Sequence, residues 1–127
     1  MDNDYWINED YIIFKPEFNK SISNYINVIK NYKNLIFSNY DDYKICISTN
    51  NIYSDKYNKN HKSSKFNQPV LNSLDNLTQL QQLTFGFEFN QPVFNCLNNL
   101  QKSLEKLYLP TYYNMKIKKY KSKMCYK

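Results

Sequence analysis

The amino-acid sequence predicts an α/β-type or mostly β repeat fold: a short solenoid carrying a parallel sheet, with one short strand per unit of about 22–24 residues. Three observations predict it. Phe66-Asn67-Gln68-Pro69-Val70 recurs unchanged as Phe89-Asn90-Gln91-Pro92-Val93, a shift of 23. Leu71, Leu74, Leu77 and Leu80 after the first block are matched by Phe94, Leu97, Leu100 and Leu104 after the second. Four apolar triplets, Ile12-Ile13-Phe14, Leu35-Ile36-Phe37, Leu83-Thr84-Phe85 and Leu107-Tyr108-Leu109, fall in phase with the blocks. Leucines at every third position step back by about 60° each on a regular helix and wrap most of the way round it, so one amphipathic helix cannot use them all. A polygonal coil of short turns and one strand sends every one of them to a shared axis.

In chain order, residues 1–11 read as an N-terminal cap, with Trp6 covering the open end of the stack. The repeat domain spans 12–117. Its first unit, near 12–34, holds the relaxed block Phe18-Asn19-Lys20-Ser21-Ile22. The next, 35–65, is degenerate: its triplet position near 60–62 reads Asn60-His61-Lys62, which no core accepts. Residues 48–65 are dense in Asn, Ser and Lys and are expected to leave the repeat path. Strand 35–37 then pairs either with 83–85 directly or with a substitute strand from Tyr43 to Ile47. Units 66–88 and 89–112 are the best formed. Tyr113-Asn114-Met115-Lys116-Ile117 reads as a degraded further block, and residues 118–127 as a basic tail.

Period-two alternation points the first and third residues of each triplet inward and the second outward. Phe18, Phe66, Phe89, Leu83, Phe85 and Leu107 are therefore the repeat-defining core. Tyr11, Ile13, Ile36, Thr84, Lys106 and Tyr108 fall on the outer face of the sheet, the surface expected to meet a partner, with Tyr11 and Tyr108 as its best anchors. The Asn after each block Phe is expected to hydrogen-bond turn backbone, and Pro69 and Pro92 to halt strand growth.

Apolar residues at 42% suffice for a core in a chain of 127 residues, and 22% charged residues with net charge +6 lie outside the disordered range. The charge is uneven. Lys116, Lys118, Lys119, Lys121, Lys123 and Lys127 stand in residues 113–127 with no acid, while residues 1–112 balance eleven Lys against eleven Asp and Glu. Catalysis has little to stand on: one His in a polar stretch, a single Gly and hence no phosphate-cradling loop, and acidic pairs Glu9-Asp10 and Asp41-Asp42 with nothing to set them across a cleft. The expectation is no enzyme activity, no cofactor and no small-molecule substrate. Cys46, Cys96 and Cys125 are scattered without a C-x-x-C pair, so neither a zinc site nor a disulfide framework is expected. No apolar run approaches a membrane span, and the acidic N-terminus does not read as a secretory signal.

The repeated F-N-Q-P-V block, followed by leucines at every third residue and by Leu83-Thr84-Phe85-Gly86, resembles the FNIP repeat family, a leucine-rich-repeat-like group found in social amoebae and in giant viruses that infect amoebae. The chain's load of 20 Asn, 17 Lys, 13 Tyr and 11 Ile, with no Ala or Arg, suits an A/T-rich coding bias of the kind usual there. Family members often carry an N-terminal F-box; here repeats begin by residue 12.

Together these readings imply a non-enzymatic protein–protein interaction module of unknown partner, intracellular and cytoplasmic, and in the host cytoplasm if viral. The different-class alternative is nucleic-acid or acidic-membrane binding through Lys116, Lys118, Lys119, Lys121 and Lys123. A third is a decayed family copy without a retained role.

Overall fold

A computed structural model describes residues 2–51, 58–70, 72–93, 103–110, 113 and 124–126. They form an α/β-type structure with few helices, dominated by one mixed six-stranded sheet in the order β1 (Tyr5–Asn8), β2 (Tyr11–Phe14), β3 (Asn34–Phe37), β4 (Gln82–Thr84), β5 (Lys106–Leu109) and β6 (Met124–Tyr126). Spatial order equals chain order. β1 runs antiparallel to β2 as a hairpin turned by Glu9 at φ 54°, and every later neighbour is parallel.

The register is strict. Ile12, Leu35, Leu83 and Leu107 are successive partners on the inner face, ending at the position of Met124. A two-fold side-chain period then fixes which residues meet the core, because a slip of one would exchange the faces. The same turn closes each crossover: Asp10 O accepts from Lys33 N and Asn34 N, Lys33 O from Gln81 N and Gln82 N, and Gln81 O from Glu105 N and Lys106 N, all at 2.7–3.1 Å.

Two aromatic files run through the interior. Phe14, Phe37 and Phe85, at the ends of the triplets, stack with centroids 5.4 and 5.5 Å apart. Phe18, Phe66, Phe89 and Tyr113 stack beside them at 5.8, 5.9 and 6.0 Å, with planes within 15°. Phe18, Phe66, Phe89, Leu83, Phe85 and Leu107 are all buried, each contributing about 1.5–3 kcal/mol on leaving water. Tyr113 continues the stack, while the rest of the degraded block, Asn114 to Ile117, lies outside the described residues.

Between block and strand, the first unit uses a 3-10 turn (Ile22–Tyr25) running into α1 (Ile26–Ile29). The unit from Phe66 uses isolated three-residue turns instead, with Ser73 N bonded to Val70 O, Leu77 N to Leu74 O and Leu80 N to Leu77 O. Leu74, Leu77 and Leu80 are buried in consequence.

β3 pairs directly with β4, and the rings of Phe18 and Phe66 touch, so no rung lies between them. The degenerate unit expected over 35–65 therefore adds no rung of its own: Asn34–Phe37 is β3, and the described part of the stretch from Ser38 to Lys65 is an excursion from the sheet. Within that excursion Tyr43–Ser48 is α2 and not a substitute strand: Asp42 Oδ1 accepts from Lys44 N at 2.9 Å, an N-cap that starts a helix. The tail lysines Lys116, Lys118, Lys119, Lys121 and Lys123 lie outside the described residues. Among the described residues, no helix is long and apolar enough to cross a membrane.

Candidate interaction face

The outer face of the sheet carries two rows set by the register. Tyr11, Asn34, Gln82 and Lys106 are partners in one, and Ile13, Ile36, Thr84 and Tyr108 in the other, which reaches the position of Cys125 on β6. All six residues expected there therefore share one face. Their exposure differs from expectation: Ile13 and Ile36 are 0% and 1% exposed and Thr84 is 1% exposed. These three are not available to a partner.

The cause is the excursion, which folds back over the sheet. Tyr40 and Cys46 join Ile13 and Ile36 in a second apolar cluster, with Trp6, Tyr11, Tyr43, Ile45 and Ile47 packed against it. Trp6, expected at the open end of the stack, instead meets Tyr43 with centroids 6.0 Å apart, while Lys15 Nζ lies 5.4 Å from its ring centroid. The inner end is covered by Tyr5, edge-on to Phe14 and Tyr25. Thr84 has a polar cover, its hydroxyl accepting from Gln82 Nε2 at 3.2 Å.

Buried asparagines lock the excursion at its stem. Asn39 N donates to Asn51 Oδ1 at 2.7 Å, Asn39 Nδ2 to Asn51 O at 3.0 Å, and Asn51 Nδ2 to Phe37 O at 2.8 Å. Asn39 Oδ1 accepts from Ser64 N and Phe87 N at 2.9 and 2.8 Å, so one side chain ties both arms of the excursion to the next unit. Asn51 sits at φ 62°, a left-handed conformation that asparagine tolerates better than most residues. Gly86 completes the junction: a Cβ there would stand 2.1 Å from Ser64 Cβ and 2.8 Å from Phe37 O. Sequence reasoning missed Asn39, Asn51 and Ser64 as a group. The available signal was the pair of small polar runs, Ser38-Asn39 and Ser63-Ser64, flanking the segment between a strand triplet and its block.

What stays accessible is the far part of the face. Lys106 is exposed, and Tyr108, Tyr11, Asn34 and Gln82 are partly so. Asn34, Gln81, Gln82, Glu105 and Lys106 line a polar cleft of about 190 Å³ along the strand starts. No protein-family model, curated protein or solved structure matches the chain.

Beside the face runs a side-chain ladder built from the repeated block. Asn19 Oδ1 accepts from Asn67 N at 2.9 Å and Gln68 Nε2 at 3.0 Å; Asn67 Oδ1 accepts from Asn90 N at 2.8 Å and Gln91 Nε2 at 3.2 Å. Tyr113 closes it by donating its hydroxyl to Gln91 O at 2.7 Å. The side chains of Asn19 and Asn67 each accept from the backbone of the next block along the chain.

Proposed function

We propose that this chain is a short solenoid of FNIP type that works as a non-enzymatic protein-interaction module, docking its partner on the open end of the outer face around Lys106 and Tyr108. The observation that carries this reading is the Asn67 bonding pattern. The same two positions of the repeated block make the same bonds from unit to unit, as expected where stacked repeats build a rigid platform and leave recognition to variable outer residues. Tyr108 offers a large contact area at little entropy cost, Lys106 a point charge beside it, and Gln82 and Asn34 extend a polar rim.

The experiment is affinity capture from the native cell with the full chain, with Lys106→Glu/Tyr108→Ala, and with six lysine-to-glutamine changes at 116, 118, 119, 121, 123 and 127. Loss of a protein partner with the first variant at unchanged melting temperature supports the face. Retention there, with loss on neutralising the tail and recovery of nucleic acid or acidic lipid from the wild type, favours the tail as the working part. No partner in any lane favours a copy without a retained role.

A further inference from the structure

The hairpin at the start of the chain fixes which backbone groups β1 leaves open. Lys15 N donates to Asp4 O at 3.0 Å, and the pairs run on from Tyr5↔Phe14 to Asn8↔Tyr11. An antiparallel ladder alternates, so Asp4, Trp6 and Asn8 turn their N–H and C=O towards β2, and Ile7 turns both of its own away. β1 is the outermost strand of the sheet, so those two groups face outward. The Ile7 side chain is open as well. It is 48% exposed, the one exposed large hydrophobic residue among those described, because it stands opposite Ile12 in the inner apolar row with nothing beyond it. Tyr5-Trp6-Ile7-Asn8 carries neither charge nor proline, the devices that usually blunt an edge.

The two ends of the strand carry different charges. At its start, Lys20 Nζ lies 3.4 Å from Asp4 Oδ2 and offsets that carboxylate, while Lys15 Nζ stands 5.4 Å from the Trp6 ring centroid. At its end, Glu9 and Asp10 are exposed, and neither takes part in an ion pair among the described residues. We propose that two copies of the chain pair through β1, antiparallel, about a two-fold axis at Ile7, so that their inner faces continue into one another. In that register Ile7 of one copy faces Ile7 of the second, and the two exchange both N–H···O=C bonds while their side chains cover each other. Trp6 faces Asn8 on the outer side. Glu9 and Asp10 of each copy arrive at the start of β1 of the other, towards Lys15 and Lys20. A one-residue slip would set inner side chains against outer ones, and a parallel pair would bring Glu9 and Asp10 of both copies side by side. The edge thus complements itself when turned round, which is the requirement for an isologous junction, and such a junction closes at the dimer. Lys106 and Tyr108 lie on β5, far from the axis in the strand order, and stay open in both copies.

Sedimentation velocity of the full chain over a concentration series tests this. The expected result is a monomer–dimer equilibrium that stops at the dimer. Ile7→Lys sets two ammonium groups against each other on the axis and should weaken association about 10-fold or more. Because Ile7 is exposed in the monomer, the melting temperature of dilute protein should not change. Glu9→Lys/Asp10→Lys and Lys15→Glu/Lys20→Glu should each weaken association about 10-fold as well. Mixing these two variants should restore it as a heterodimer, since each then presents ends complementary to the other. Lys15→Gln/Lys20→Gln removes the attraction without placing acid beside Asp4, and should weaken the dimer less while keeping the fold. A wild type that stays monomeric overturns the proposal. So does mass that grows past the dimer, association that survives Ile7→Lys, or a mixture no more associated than its components.

Discussion

Asn67 donates its backbone N–H to Asn19 Oδ1 at 2.9 Å across 48 residues of chain. The bond joins two units between which the excursion from Ser38 to Lys65 has been folded out, and Asn67 passes the same bond on to Asn90. Replacing Asn67 by Ala removes one acceptor serving two donors in an exposed ladder. The expected cost is about 1–2 kcal/mol in urea unfolding, while Asn27→Ala, exposed on α1 and outside the ladder, should serve as a control for loss of an Asn.

Gly86→Ala should be more damaging than its size suggests. The new Cβ meets Ser64 Cβ and the Phe37 carbonyl, both held by the stem, and overpacking of this kind costs about 1–3 kcal/mol. Ser64→Gly in the same chain should recover part of the loss. Melting of the single and double variants checks this, with non-additivity as the expected sign.

Asn51→Ala strands the Phe37 carbonyl and the Asn39 amide in a buried site, at about 1–3 kcal/mol for each group left unpaired. The loss should be local before it is global. Limited proteolysis between residues 41 and 60 should accelerate in this variant, while residues 72–93 stay resistant.

The placement of β2 to β5 was legible in the sequence; β1 and β6, which fall in the stretches read as cap and basic tail, and the use of the outer face were not. The triplets 12–14, 35–37, 83–85 and 107–109 announce themselves because a period of two within each and a period near 24 between them are both local properties. Phe18, Phe66 and Phe89 follow from the block. The helix at Tyr43–Ser48 was ambiguous, because Tyr43-Lys44-Ile45-Cys46-Ile47 alternates well enough for a strand, and Asp42, its cap, reads first as half of an acidic pair. Burial of Ile13 and Ile36 depends on where a distant segment returns, which periodicity does not encode. Outward apolar residues on two adjacent strands, together with a Tyr- and Ile-rich patch in the excursion, were the hint that each covers the other.

The N-terminal end should report on pH through one pair. Tyr25 donates its hydroxyl to Asp4 Oδ2 at 2.5 Å; this bond, with burial, pushes Tyr25 up to about 12 from 10.0. The same bond holds Asp4 below its ordinary 3.8, against the opposing effect of burial and with Lys20 assisting. A raised tyrosine favours the folded state fully below pH 10.0 and loses that contribution as pH rises towards about 12. A depressed aspartate contributes above 3.8 and loses it as pH falls through its folded value. The stability gap between wild type and Tyr25→Phe should therefore be flat between about pH 5 and 9 and shrink on both sides. Denaturant midpoints across the range check it.

Aromatic-ring NOEs of Phe66 test most directly whether the repeat units stack past the excursion. Its ring lies 5.8 Å from that of Phe18 and 5.9 Å from that of Phe89, with planes 15° and 1° apart. In a chain with selectively labelled phenylalanines, assigned by single Phe→Leu changes, Phe66 should show cross-peaks to both rings. Cross-peaks to Phe89 alone, with Phe18 contacting residues from 41–62 instead, would place a rung where none is expected and contradict the stacking on which the platform rests.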